Sequence, residues 1–288
     1  MAETIVAPRP ARRRGRVERA ALHLLLVALC ASMLAPLLWM LSTALKLPQE
    51  IATPDLRLWP HAPTLRNFSD AFALDPVAAW LLNSVVTATG ITLGRVLVSV
   101  PAAYAFARFR FTGRGPLFGL VVGTMIVPYV STIIPNYLTV ARLGWLNTPQ
   151  AVIVPSIAFT GFYIFLLRQA LLQLPDDLFE AAALDGAGGW MALWRIALPL
   201  VRPTVAVVAV LSFLNAWSLY LWPLLVLGDT GSKTLAVGIQ FFISNSLGGQ
   251  QWGPLMATAI LATLPPLLLY VAAQRAIVSA LVTSGLRG

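Results

Sequence analysis

The chain has 288 residues, 58% apolar and only 11% charged, with a formal net charge of +9. A soluble domain carries about 25% charged residues, so this balance excludes an ordinary water-soluble globule. One cysteine, Cys30, and two isolated histidines, His23 and His61, exclude a disulfide framework and a Cys- or His-based metal site, and no cofactor is expected.

In chain order, residues 1–19 hold Pro8, Pro10 and an arginine cluster from Arg9 to Arg19, and read as a disordered cytoplasmic tail. The apolar run that follows is too long for a signal-peptide core, and no small-residue cleavage site closes it. It is predicted to stay as a first span. Crossing a hydrocarbon core about 30 Å thick takes about 20 apolar residues. On that measure spans are predicted at about 20–45, 80–104, 116–140, 151–171, 203–227 and 253–278. These runs are continuous, whereas barrel strands would alternate over about ten residues, so the expected class is an all-α membrane protein with six transmembrane helices. Pro128, Pro135 and Pro155 are placed to kink spans three and four, and Pro223 to break span five.

Between the spans, Lys46 to Asp75 is a proline-containing segment long enough to lie across the outer mouth. Thr230 to Trp252, rich in Gly, Ser, Asn and Gln, is expected to be an outer loop. Residues 172–199 form a cytoplasmic segment, and 279–288 a cytoplasmic tail. With the N-terminus inside, fourteen of the twenty Lys and Arg face the cytoplasm, five face outward and Arg95 lies within span two. The positive-inside rule therefore puts both termini in the cytoplasm. The basic excess is a topology signal, not a nucleic-acid footprint.

One stretch imitates a phosphate loop. GDTGSKT, Gly228 to Thr234, has Ser232 where a P-loop needs glycine before the lysine, and its glycines are three apart rather than five. The topology also places it outside the cell. With no nucleotide motif elsewhere, any ATP hydrolysis must reside on another chain.

The cytoplasmic segment carries the most organised pattern, FEAAALDGAGGWMALWRIALP, from Phe179 to Pro199. Leu174-Pro175-Asp176-Asp177 suits a helix start: proline is tolerated in a first turn, and aspartates complement the positive end of the helix dipole. Ala181, Ala182 and Ala183 continue the helix. Gly186, Gly188 and Gly189 end it, and Trp190 to Leu198 form a second short helix that Pro199 is expected to end. The product is a helical hairpin with a low-relief face of alanine and glycine, beside Glu180 and Asp185. A plain connector between bundled helices needs about 2–8 residues; this one has about 30.

The hairpin resembles the EAA signature of the membrane subunits of bacterial ABC importers. Glu180-Ala181-Ala182, Gly186, Ile196 and Leu198-Pro199 keep every spacing of that pattern. AAYAFARFRFTGRG (Ala102 to Gly115), LNSVVTA (Leu82 to Ala88), LYLWPLLVL (Leu219 to Leu227) and the closing QRAIVSALVTSGLRG are similar to the second permease subunit of maltose-type carbohydrate importers. The resemblance implies the type I importer permease fold in the bacterial inner membrane, with a coupling helix between spans four and five. It implies a second homologous six-span permease subunit, two copies of a cytoplasmic ATPase, an extracytoplasmic solute-binding protein and a sugar substrate. Ala181, Ala182 and Gly186 would then shape the surface that enters the ATPase, and Glu180 would pair with it.

For the solute path, Arg95 stands out, because ionisable groups inside a membrane are costly and mark function by default. It either lines a water-filled path or ties neighbouring helices together. Phe213, Trp217 and Tyr220 fall near one face of span five, with Asn215, Ser212 and Ser218 adding polar groups; Trp222 suits an interfacial aromatic belt. Asn83, Ser84 and Asn136 are weaker candidates. A membrane enzyme would need a catalytic constellation within the spans, and an ion-coupled carrier commonly needs a mid-membrane acid. None of the six spans contains either. Within the transporter reading, sugars come first and glycerol 3-phosphate second, for which Arg95 would meet an anion.

Overall fold

The computed structural model describes residues 15–53, 57–245 and 251–285, and every regular element among them is helical. In chain order these are α1 (Arg16–Ala44), α2 (Pro48–Ile51), α3 (Arg66–Leu74), α4 (Val77–Arg108), α5 (Arg114–Gly123), α6 (Tyr129–Arg142), α7 (Pro149–Ile157), α8 (Gly161–Leu172), α9 (Asp177–Leu184) and α10 (Gly189–Ala192). A π turn (Leu193–Ala197) leads into α11 (Leu198–Leu200), then α12 (Arg202–Trp217), α13 (Leu221–Val226), a 3₁₀ turn (Thr230–Ser232), α14 (Leu235–Asn245) and α15 (Trp252–Gly285).

Among the described residues, three helices are long and apolar enough to cross a membrane: α1, α4 and α15. The bent pairs α7–α8 (48°) and α10–α11 with α12 (80°) bring the number to five if each pair is one span. The predicted spans three, four and five are therefore interrupted rather than continuous. Span three divides at residues 124–128, where Pro128 precedes the first residue of α6 and cannot continue a helix from behind. Pro135 sits inside α6 without breaking it. Span four divides one turn after Pro155, and span five divides at residues 218–220, with Pro223 in the first turn of α13, where its missing N–H is no loss.

Two further expectations change. Part of the outer loop expected at Thr230 to Trp252 is the helix α14, because the run from Leu235 to Ile243 is mostly apolar and sets Leu235, Val237 and Phe242 into the core. Trp222 is not a belt residue: it is 2% exposed and its indole Nε1 donates to Ala151 O at 2.9 Å.

α4 is the axis of the bundle, with α7, α8 and α12 packed along it and α15 packed against α12 and α1. Gly90 and Gly94, one turn apart on α4, are notches for α7. A Cβ on Gly90 would lie 2.8 Å from Ile153 Cδ1, and one on Gly94 would lie 2.3 Å from Ile157 Cδ1. Small residues that let helices approach closely replace the hydrophobic drive that lipid cannot supply. At the end of α4 away from the hairpin, Trp80 is fully buried, meets Phe242 edge-on at 5.8 Å and donates to Thr230 O at 2.7 Å. The buried Asn67 amide donates to Ala44 O and Lys46 O, satisfying carbonyls at the end of α1 and just beyond it.

Candidate functional site

The hairpin is built as a helix, a left-handed turn and a second helix. α9 is capped by a Schellman arrangement, with Gly186 N donating to Ala183 O and Ala187 N to Ala182 O. Gly186 takes φ +79°, the left-handed region that glycine enters without strain. The second arm does not end at Pro199. Proline cannot donate to the carbonyl four residues back, and the register slips just ahead of it: Leu198 N donates to Leu193 O, five residues back, and the helix runs on to Leu200 before the 80° bend into α12.

Side-chain placement sorts the predicted coupling residues into two groups. Glu180, Ala181, Asp185, Gly186 and Pro199 are exposed; Ala182 is buried and Ile196 and Leu198 are half-buried against the core. Ala182 is therefore a packing residue and not part of the outer face. Sequence reading missed what flanks that face: Leu184 is 89% exposed and Trp190 64%, with Trp190 edge-on to Trp194 at 6.1 Å.

Arg108, the last residue of α4, ties the hairpin down. Its Nη2 donates to Leu171 O (2.6 Å) and Leu174 O (2.7 Å), its Nη1 pairs with Asp176 at the start of α9, and its guanidinium lies 4.1 Å from the Phe179 ring centroid. Charge-assisted bonds of this kind are the stronger ones. Gly189 abuts Phe109 so closely that a Cβ would meet the ring at 2.7 Å.

Deeper in the bundle, two of the predicted path residues meet. Arg95 Nη1 donates to Asn215 Oδ1 at 2.9 Å and to Tyr163 OH at 3.4 Å, and its Nε donates to Ser156 O at 3.0 Å. Arg95 is 5% exposed, whereas Asn215 is exposed. One side chain thus joins α4, α7, α8 and α12 beside the α7–α8 break. Neither Tyr163 nor Ser156 was legible in advance, because both lie more than 60 residues away.

The other candidates lie elsewhere. Asn83 donates to Gly231 O and Lys233 O, holding the 228–234 turn against the end of α4 away from the hairpin. Trp217 stacks on Phe213 at 5.7 Å and donates to Ala262 O, so it belongs to the α12–α15 contact. Tyr220 stands in the break before α13, partly exposed. Ser84 accepts from Leu235 N.

The family model described as "Binding-protein-dependent transport system inner membrane component" matches residues 96–282. The sn-glycerol-3-phosphate transport system permease protein UgpE of Yersinia pestis is 36% identical over 231 residues, covering 80% of this chain and 82% of that protein. The diacetylchitobiose uptake system permease protein NgcG of Streptomyces coelicolor is 30% identical over 256 residues, covering 88% and 84%. A chain in the crystal structure of a bacterial ABC transporter involved in the import of the acidic polysaccharide alginate aligns with a TM-score of 0.80 at 20% identity, covering 93% of this chain and 99% of its own. The match across most of the chain, from the second half of α4 through α15, makes this protein a member of the family of inner membrane components of binding-protein-dependent transport systems.

Proposed function

We propose that the chain is the permease subunit of an ATP-driven importer of a sugar or sugar-like solute, forming half of the translocation path. The observation that carries the coupling role is the hairpin from Asp177 to Leu200, which presents Glu180, Ala181, Asp185, Gly186, Leu184 and Trp190 outward while Arg108 fixes its base to α4. Large exposed apolar side chains at the rim of a turned segment suit insertion into a cleft of another protein. In this reading that protein is a cytoplasmic ATPase, present in two copies, and ATP hydrolysis belongs to it.

The α5–α6 pair serves as the sixth crossing, so residues 20–278 form one transmembrane domain. Both termini and the 172–199 segment are then on the cytoplasmic side of a bacterial inner membrane, as the distribution of basic residues favours. A second, homologous six-span subunit completes the path, and an extracytoplasmic binding protein delivers the solute. ATP binding must favour the outward-open state by several kcal/mol to shift the populations decisively. Sugar uptake is supported by the chitobiose relative and glycerol 3-phosphate uptake by the UgpE relatives. Arg95 favours keeping the second reading beside the first.

The test is reconstitution. The chain assembled with its companion permease, ATPase and binding protein should accumulate solute against a gradient only with ATP. Accumulation by this chain alone, without the companions, would overturn the proposal.

A further inference from the structure

A guanidinium inside a membrane bundle normally pairs with a carboxylate or with backbone carbonyls, or reaches the headgroups. Arg95 has one backbone carbonyl and no carboxylate. It lies about 20 Å along α4 from Arg108 by helical rise and is 5% exposed. The sequence contains no Asp or Glu between Asp75 and Asp176, between Asp185 and Asp229, or after Asp229. α7, α8 and α12, the helices that supply its partners, therefore offer it no counter-charge. Its acceptors are a backbone carbonyl, a phenol and an amide, all neutral. The second terminal nitrogen, Nη2, has no hydrogen-bond partner among the described residues and is not sealed from the surface. Two more donors nearby are unused: the buried hydroxyls of Ser99, one turn along α4, and Ser212, one turn before Asn215 on α12, bond nothing among the described residues. α4 and α12 pack together, and Asn215 carries the cluster to an exposed face.

The described residues thus hold a buried positive charge with spare donors and no anion beside it. A buried charge without a counter-charge is costly, and an anion beside it offsets that cost. We infer that Arg95 and Asn215 form an anion subsite on the translocation path, which takes the phosphate or carboxylate of a transported sugar or polyol derivative. This rests on the permease reading above and narrows its substrate class: the cargo is a sugar phosphate, polyol phosphate or sugar acid rather than a neutral sugar. Lipid headgroups, which lie outside the hydrocarbon core of about 30 Å, do not reach this depth.

The test places a reporter thiol at Ser218, exposed and one turn from Asn215, in the Cys30→Ala background of the complete importer. The thiol is modified by an anionic sulfonatoethyl or a cationic trimethylammonioethyl methanethiosulfonate, and each rate is normalised to a free thiol in buffer. The normalised anionic rate should exceed the normalised cationic rate by at least about tenfold, because a unit charge about 10 Å away speeds one reagent about fourfold and slows the other about fourfold at an effective dielectric of about 40. Arg95→Gln should remove the preference, and Arg95→Lys should keep it even where Arg95→Gln assembles poorly. Inorganic phosphate, or glucuronate if the cargo is a sugar acid, should slow the anionic reaction; maltose should not. Equal normalised rates in the parent would overturn the subsite, and are also what a carboxylate from the companion permease would produce. Failure of both reagents to react would overturn it as well, because the face would then be dry. ATP-dependent uptake by the same importer, measured in parallel, keeps the two readings apart: uptake without charge preference sinks only the subsite, and no uptake sinks the permease reading.

Discussion

Gly186 offers a perturbation whose cost can be assigned to a single cause. Its φ of +79° lies in the left-handed region, and a Cβ built on it meets nothing within 4 Å. A substitution there creates no clash within this chain, so its effect on the hairpin itself is backbone strain. For an L-residue that strain is about 1–2 kcal/mol, least for Asn, which tolerates the conformation, and most for a β-branched residue. One to two kcal/mol shifts the population of the observed turn by a factor of about 5–30. Gly186→Asn, Gly186→Ala and Gly186→Val should therefore lower uptake in that order, with Val the most severe. α9 is only eight residues long and the spans do not depend on its turn, so membrane yield should stay at the wild-type level. The assay is solute accumulated per ATP hydrolysed in proteoliposomes holding the whole importer, which should fall as hydrolysis uncouples from movement. Wild-type coupling in Gly186→Val, or an Asn variant as poor as the Val variant, would refute the reasoning.

Other expectations follow from single contacts. Arg108→Met removes two carbonyl bonds and an ion pair from a side chain that is 11% exposed, and should destabilise the solubilised protein by about 2–3 kcal/mol in a thermal melt. Asp176→Asn, at the exposed end of the same pair, should cost under about 1 kcal/mol. Gly238→Ala would set a Cβ 2.2 Å from the fully buried Trp80 ring, an overpacking worth about 1–3 kcal/mol, read as a lowered melting temperature. Burial raises the Asp75 carboxyl above its ordinary value of 3.8, partly offset by Lys233. The folded state therefore favours the neutral acid, and the group's unfavourable contribution appears as pH rises above 3.8 through the raised value. Asp75→Asn should melt with wild type at the acid end and above it near neutrality; a constant gap across that range would count against the shift.

Long apolar runs were legible because a helix must enclose its own backbone polar groups in lipid, so α1, α4 and α15 follow from length and composition alone. The breaks in spans three, four and five were half legible: Pro128 and Pro155 mark where continuity is weak, yet Pro135 lies inside an unbroken helix, because neighbouring contacts can accommodate a lost backbone bond. α14 was missed since Gly238, Gln240, Ser244 and Asn245 lower its apparent hydropathy, although its buried residues are apolar. In the hairpin, spacing alone identified the turn at Gly186. It could not separate exposed Ala181 from buried Ala182, which depends on how α9 rests on the core. Arg95 was visible as an anomaly; that it would find Asn215, 120 residues downstream, is a fact of the bundle's topology. Arg108 looked like one more cytoplasmic base because its partners are mostly backbone oxygens, which carry no sequence signature.

The glycine notches on α4 divide the molecule into stiff and compliant parts. Ile153 and Ile157 mesh with Gly90 and Gly94 like teeth in a rack, so α7 cannot slide along α4 without riding up over its backbone. At the far end Arg108 grips the end of α8 and the start of α9. If the hairpin docks on a partner as proposed, a push on it would reach α4, α7 and α8 together, and would enter α12 through the 80° turn at Val201.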